Sequence, residues 1–103
     1  MKDKAAFYNT QREHFELLKQ YAPVVTRVHG GNHPEFHEVK KFVDAIAEKA
    51  KMAGSAVPEL DQEFAGLRAV TGHYTLPDDV CESYEAVYQV LAQLDEAYQS
   101  RRK

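Results

Sequence analysis

The stretch LPDDVCESYEAVYQVLAQLDEAYQS, residues 76–100, carries the strongest periodic pattern in the chain. Its large apolar side chains recur every three or four residues, which places them on one face of a helix: Val80, Tyr84, Val87, Tyr88, Leu91, Leu94 and Tyr98. At about 1.5 Å per residue, such a helix spans about 37 Å. Thr75 and Asp78 have the spacing of a capping box and Pro77 suits a first turn, so the pattern predicts a long C-terminal helix over 76–100.

Helical spacing also predicts a first helix over residues 3–28, ended by the pair Gly30 and Gly31. Pro23 lies inside this pattern. Because proline lacks an N–H donor and clashes with the preceding turn, a kink near residues 19–22 is expected. Two collinear helices are the alternative.

Two further helices are predicted between these. The second begins after a cap at Asn32 or His33, has Pro34 in its first position and ends near Met52. The third opens at Pro58 and ends at a Gly72 cap. No segment alternates as a strand does, and short connections favour antiparallel neighbours. The sequence therefore predicts an all-α, up-and-down bundle of about four helices.

The composition and charge of the chain exclude several classes of protein. The chain has 103 residues, 44% apolar and 28% charged, with a net charge of −3, which suits one domain over residues 1–103. The basic residues form no nucleic-acid footprint, and no apolar run is long enough to cross a membrane. Cys81 is the only cysteine, and the first residues lack the apolar core of a signal peptide. We therefore expect a cytoplasmic protein.

Three of the five histidines, His29, His33 and His37, fall between residues 28 and 38. His33 and His37 are four residues apart, so on a helix they share one face, a spacing that allows two imidazoles to bind one zinc or iron ion. The alternative is that His29 and His33 bond helix ends while His37 is exposed. His14 lies on the predicted core stripe of the first helix, where it is either a hydrogen-bonded buried imidazole or a further metal ligand.

The remaining candidate is Cys81, which the pattern places in the second turn of the last helix. It is interpreted as a small buried apolar residue, with a reactive thiol near a helix N-terminus as the alternative. No Cys/His/Asn arrangement at a recognisable spacing indicates nucleophilic catalysis. We therefore expect no catalytic residues.

Two stretches resemble a known family. Residues 26–36, TRVHGGNHPEF, are similar to the VHG-x-x-HPEL segment of the hemerythrin-like iron–sulfur-cluster repair proteins. Residues 67–81, LRAVTGHYTLPDDVC, with Tyr84, Tyr88 and Leu91, are similar to that family's LR-x-VT-x-x-Y-x-x-P-x-x-AC-x-x-Y-x-x-x-Y-x-x-L. The resemblance implies a helical bundle related to di-iron proteins that restore clusters damaged by nitric oxide or oxidants.

The sequence departs from that family at its metal ligands. Both H-x-x-x-E motifs are absent: KMAGSAV (residues 51–57) stands where the first is expected, and the chain ends at residues 99–103 where the second is expected. Phe7 and Tyr8 stand where the family has tyrosine and histidine, unless His14 takes that role.

The expected function is therefore a shortened, non-catalytic relative that acts as a protein-binding module in the stress response, without a cofactor. Its partner is another protein, or a second copy held through the C-terminal helix. The alternative is a metal-binding protein with a reduced or intermolecular iron or zinc site at His29, His33 and His37, with His14 or Glu35 as possible additions.

Overall fold

The computed structural model describes residues 11–53, 58–78 and 80–102. These form four helices: α1 (Arg12–His29), α2 (Glu35–Met52), α3 (Asp61–Thr71) and α4 (Glu82–Arg102). No strand occurs in these ranges, and the helices pack as an all-α bundle. The predicted fold class is confirmed.

Contacts near the helix ends give the directions of the helices. His14, near the start of α1, bonds Gln93 just past the middle of α4, and His29 at the end of α1 meets Cys81 before α4. Lys49 near the end of α2 pairs with Glu63 in the first turn of α3. Phe42, earlier in α2, lies against Gly66, later in α3. Both helix pairs are therefore antiparallel, and for α2 and α3 the short connection predicted this.

All four helices contribute apolar side chains to one core. Its large members are almost fully inaccessible to solvent: Leu18, Val25, Phe36, Ile46, Leu60, Phe64, Leu67, Tyr84, Leu91, Leu94 and Tyr98. Burial of this apolar surface is the main favourable term in folding. None of the helices in the described ranges combines the length and apolar character that a membrane crossing requires.

The apolar stripe of α4 packs inside this chain. Its exposed face is polar: Glu82, Glu85, Gln89, Gln93, Glu96 and Gln99. A homodimer along this helix stays a prediction, but the stripe that suggested it is already covered.

The largest difference from the sequence prediction is the start of α4. The helix begins at Glu82, well after the predicted start at Leu76, and the predicted capping box does not form. Thr75 Oγ1 instead donates to the carbonyl oxygen of Gly72 at 2.6 Å. At about 1.5 Å per residue, α3 is roughly half as long as α4. The connection between these two helices must therefore be extended to cover the part of α4 that α3 does not reach. Cys81 therefore lies before α4 and is exposed, not buried in a second turn.

Tertiary contacts hold this connection in place. Gly72, His73 and Tyr74 all have positive φ values, 60°, 61° and 63°. The Tyr74 hydroxyl donates to Asp95 Oδ2 at 2.8 Å, and Arg68 donates to the same oxygen at 2.6 Å. Burial, followed by the hydrogen bond to Asp95, raises the pKa of Tyr74 above its ordinary value. These bonds offset the cost of left-handed backbone at non-glycine residues.

The boundaries of the other three helices lie closer to their predicted positions. α1 runs through Pro23 as a single helix, so the alternative of two collinear helices is wrong; its predicted start at Asp3 lies outside the described residues. α2 begins at Glu35 behind Pro34, with no side-chain cap from Asn32 or His33. α3 begins at Asp61, three residues after the predicted start at Pro58, and ends at Thr71 with Gly72 as its C-cap, as predicted.

Candidate functional site

Three chain segments meet at one end of the bundle: the end of α1, the start of α2 and the residues entering α4. They bring together His29, His33, Glu35, Cys81 and Tyr84, a group of side chains called here the motif end. All five residues belong to the two stretches that resemble the cluster-repair family. Segments about 50 residues apart in sequence therefore form one structural feature.

The closest long-range polar contact in the motif end joins His29 and Cys81. The Nε2 atom of His29 lies 3.2 Å from the Sγ atom of Cys81. Cys81 is exposed and His29 is half-buried, so solvent reaches the pair. An imidazole nitrogen beside a thiol is chemically able to share a proton or to provide two ligands to a soft metal ion.

A second group of hydrogen bonds in the motif end runs from the core to the surface. Glu35 Oε2 lies 3.1 Å from His33 Nδ1 and accepts a hydrogen bond from the Tyr84 hydroxyl at 3.3 Å. The Tyr84 and Tyr88 hydroxyls are 3.4 Å apart. If Tyr84 donates to Glu35, Tyr88 donates to Tyr84, which satisfies both phenols.

Burial is the main reason why both phenols have a pKa above the ordinary value and keep their protons to higher pH. It raises the pKa of Tyr84, and the hydrogen bond with Tyr88 and the nearby Glu35 carboxylate raise it further. Burial likewise raises the pKa of Tyr88. Loss of a phenol proton here would place a charge in the core beside a carboxylate, which is unfavourable.

The Tyr84 ring positions both histidines. It meets the His29 ring edge-on at a centroid distance of 5.4 Å and the His33 ring at 5.5 Å. On its core side it packs against Phe36 at 5.0 Å. Such contacts restrict ring orientation. Tyr84 thus connects the hydrophobic core to the polar side chains of the motif end.

His37 and His14 make different contacts from those of His29 and His33. His37 is exposed, and its ring crosses Gly30 so closely that a Cβ at position 30 would lie 2.6 Å from His37 Nε2. His14 bonds Gln11 at 2.7 Å and Gln93 at 2.9 Å, near the opposite end of α1. Its ring is hydrogen-bonded, as one of the two interpretations expected, but it is half-buried and not part of the core. The four candidate histidines are therefore not gathered around one point.

Sequence reasoning named Glu35 as a possible addition to the histidine site, but it missed Tyr84 and did not connect Cys81 with the histidines. Cys81 had been placed inside a helix, and no local spacing relates residue 29 to residue 81. Only their common membership of the two family-like stretches could have indicated the contact. Within residues 11–53, 58–78 and 80–102, no group of three or more His, Cys, Asp or Glu side chains is arranged to hold a metal ion.

Comparison with known proteins gives no family assignment: no family model matches the sequence, and no solved structure was found to match the chain. The resemblance to the cluster-repair proteins stays a prediction.

Proposed function

We propose that this chain is a non-catalytic relative of the hemerythrin-like iron–sulfur-cluster repair proteins that binds a protein partner through the motif end, in the cytoplasm, under nitrosative or oxidative stress. The supporting observation is the contact between the two family-like stretches, at His29 with Cys81 and at Glu35 with Tyr84. The partner is a full-length repair protein or a protein whose cluster has been damaged.

The surface of this end suits protein binding. Val28, beside His29, is 62% exposed, although large apolar side chains are usually covered. Two exposed polar side chains contact the residues that follow Val28: Cys81 bonds His29, and His37 packs on Gly30. An apolar side chain among polar neighbours is a common composition for a recognition surface.

A matched pair of variants tests this function. Val28 and Met52 are both exposed large apolar residues, 62% and 76%, at the ends of different helices, and only Val28 lies at the motif end. Each is changed to aspartate, and binding to a full-length repair protein and to a nitric-oxide-treated iron–sulfur protein is measured by calorimetry in EDTA. We expect Val28→Asp to weaken binding at least tenfold, a loss of about 1.4 kcal/mol, and Met52→Asp to have no effect. No binding to either partner, or equal binding by both variants, would contradict the proposal.

The second candidate is the metal-binding alternative, an iron or zinc site completed by another chain. The observation that favours it is the 3.2 Å separation of His29 Nε2 and Cys81 Sγ, two atoms that are both good ligands.

A further inference from the structure

We infer that the cleft between α3 and α4 binds a small molecule through an oxyanion, a carboxylate or phosphate group, held by His73 and Arg68. The cleft has a volume of about 580 Å³. Its charged and polar lining residues come from both helices and from the connection after α3: Arg68, His73, Tyr74, Asp95, Glu96 and Gln99. None of them belongs to the motif end, so the inference does not depend on the proposed function.

His73 occupies a backbone conformation that is unfavourable for any residue with a side chain. Its φ of 61° lies in the left-handed region, where a Cβ crowds the following carbonyl oxygen and glycine is free of that cost. Hydrogen bonds of the backbone fix the course of the chain here. The His73 N–H donates to the carbonyl oxygen of Arg68 at 2.7 Å, and the Tyr74 N–H donates to Thr71 Oγ1 at 2.8 Å. A glycine at position 73 would therefore follow the same course at lower cost.

The imidazole of His73 does not compensate for that cost within the chain. In the ranges that the structure describes, it makes no hydrogen bond or ion pair, and its ring meets the Tyr74 ring edge-on at a centroid distance of 6.1 Å. The side chain is exposed and lines the cleft. Strained backbone that persists in proteins is concentrated at sites that bind ligands. A ligand in the cleft would supply the partner that His73 lacks.

Arg68 gives the cleft a positively charged donor. Its Nη1 atom donates to Asp95 Oδ2 at 2.6 Å, and 31% of the Arg68 side chain is exposed. A guanidinium group carries five N–H donors in a planar fork that suits carboxylate and phosphate oxygens. The donors that do not bond Asp95 can therefore bind a second anion that enters the cleft.

The acidic side chains of the cleft leave room for such an anion. The Asp95 carboxylate accepts hydrogen bonds from three donors, which compensate its charge: Arg68, the Tyr74 hydroxyl and Gln99. Glu96 is exposed, so water and salt screen its repulsion of a bound anion.

The test is a titration of the full chain with inorganic phosphate and, separately, with acetate at low ionic strength. NMR of the His73 imidazole and the Arg68 guanidinium follows binding. We expect saturable binding of one anion per chain, and the anion with the higher affinity identifies the head group of the ligand. His73→Gly should lower the affinity about tenfold, because one hydrogen bond to a charged group is lost. The same variant should unfold at a higher urea concentration than the natural chain, because the left-handed backbone no longer carries a side chain.

Two further variants separate the cleft from a general effect of charge. Glu96→Gln should raise the affinity about twofold, since it removes an exposed like charge. Lys41→Gln, which removes an exposed positive charge on α2 outside the cleft, should bind as the natural chain does. Three results would overturn the inference: no saturable binding of either anion, equal affinities of His73→Gly and the natural chain, or a lower urea midpoint for His73→Gly.

Discussion

At the scale of single residues, Tyr84 determines the geometry of the motif end. Its ring is fully buried and touches His29, His33 and Phe36, while its hydroxyl group lies between Glu35 and Tyr88. A phenylalanine would keep the ring contacts and lose the polar ones. The two roles of Tyr84 can therefore be separated by one substitution.

Tyr84→Phe should lower the free energy of unfolding by about 1–3 kcal/mol, because Glu35 loses a donor and the buried Tyr88 hydroxyl loses its neighbour. Urea denaturation measures this change. Tyr21→Phe, which removes a hydroxyl from a half-buried ring on α1, is the control and should change stability by less than about 0.5 kcal/mol. Equal stability of Tyr84→Phe and the natural chain would show that the hydrogen bonds of the Tyr84 hydroxyl contribute nothing to the free energy of unfolding.

At the scale of elements, two features fix α3: its close approach to α2 and the attachment of the connection that follows it. A Cβ on Gly66 would lie 2.8 Å from Cε1 of Phe42, so this glycine allows α3 to approach α2 closely. The connection is held by Asp95, which accepts bonds from Arg68 and Tyr74 and is only 5% exposed.

Gly66→Ala should destabilise the bundle by about 1–3 kcal/mol, although alanine is the better helix former. The reason is steric conflict with the Phe42 ring, so Phe42→Ala should make the second substitution nearly neutral or stabilising. A double-mutant cycle measured by thermal unfolding gives the coupling. A stabilising effect of Gly66→Ala in the natural background would disprove the close packing.

Asp95→Ala should cost about 2–3 kcal/mol, because the partly exposed Arg68 and the Tyr74 hydroxyl both lose their acceptor. Glu96→Ala, at an exposed position next to it, is the control and should stay within about 0.5 kcal/mol of the natural chain. Both values come from denaturant unfolding. Similar stabilities for the two variants would contradict a structural role for the Asp95 contacts.

The same elements show how far sequence reasoning reaches. Apolar periodicity predicted the fold class, the end of α2 and the Gly72 end of α3, because these depend on local spacing. It misplaced the start of α4, because Thr75 and Asp78 are spaced as a cap while Tyr74 binds Asp95, 21 residues away. The His29 and Cys81 contact joins residues 52 positions apart, and no local pattern encodes such a separation.

At the scale of the whole molecule, buried phenols couple folding to alkaline pH. Tyr74, Tyr84 and Tyr88 all have pKa values raised above the ordinary 10.0, mainly by burial. Below about pH 10 both the folded and unfolded chains keep these protons, so the phenols add no pH dependence. Above it, the unfolded chain loses protons that the folded chain retains, and stability falls.

The free energy of unfolding should therefore decrease above pH 10 by about 1.4 kcal/mol per pH unit for each raised tyrosine. Urea denaturation at half-unit steps between pH 8.5 and 11.5 gives the slope, and absorbance at about 295 nm follows phenol ionisation. Tyr74→Phe should reduce the pH slope of the free energy of unfolding by the contribution of one tyrosine, about 1.4 kcal/mol per pH unit. A natural chain and a Tyr74→Phe variant with the same slope would contradict the burial of this phenol.

The central functional claim is a family-like bundle that does not hold the family's two irons, and iron content tests it most directly. The chain is expressed in iron-supplemented medium, purified without chelator or affinity metal, and analysed for iron and for visible absorption. We predict far less than one iron per chain and no di-iron band. About two irons per chain, with an absorption band of a bridged di-iron centre, would contradict the account.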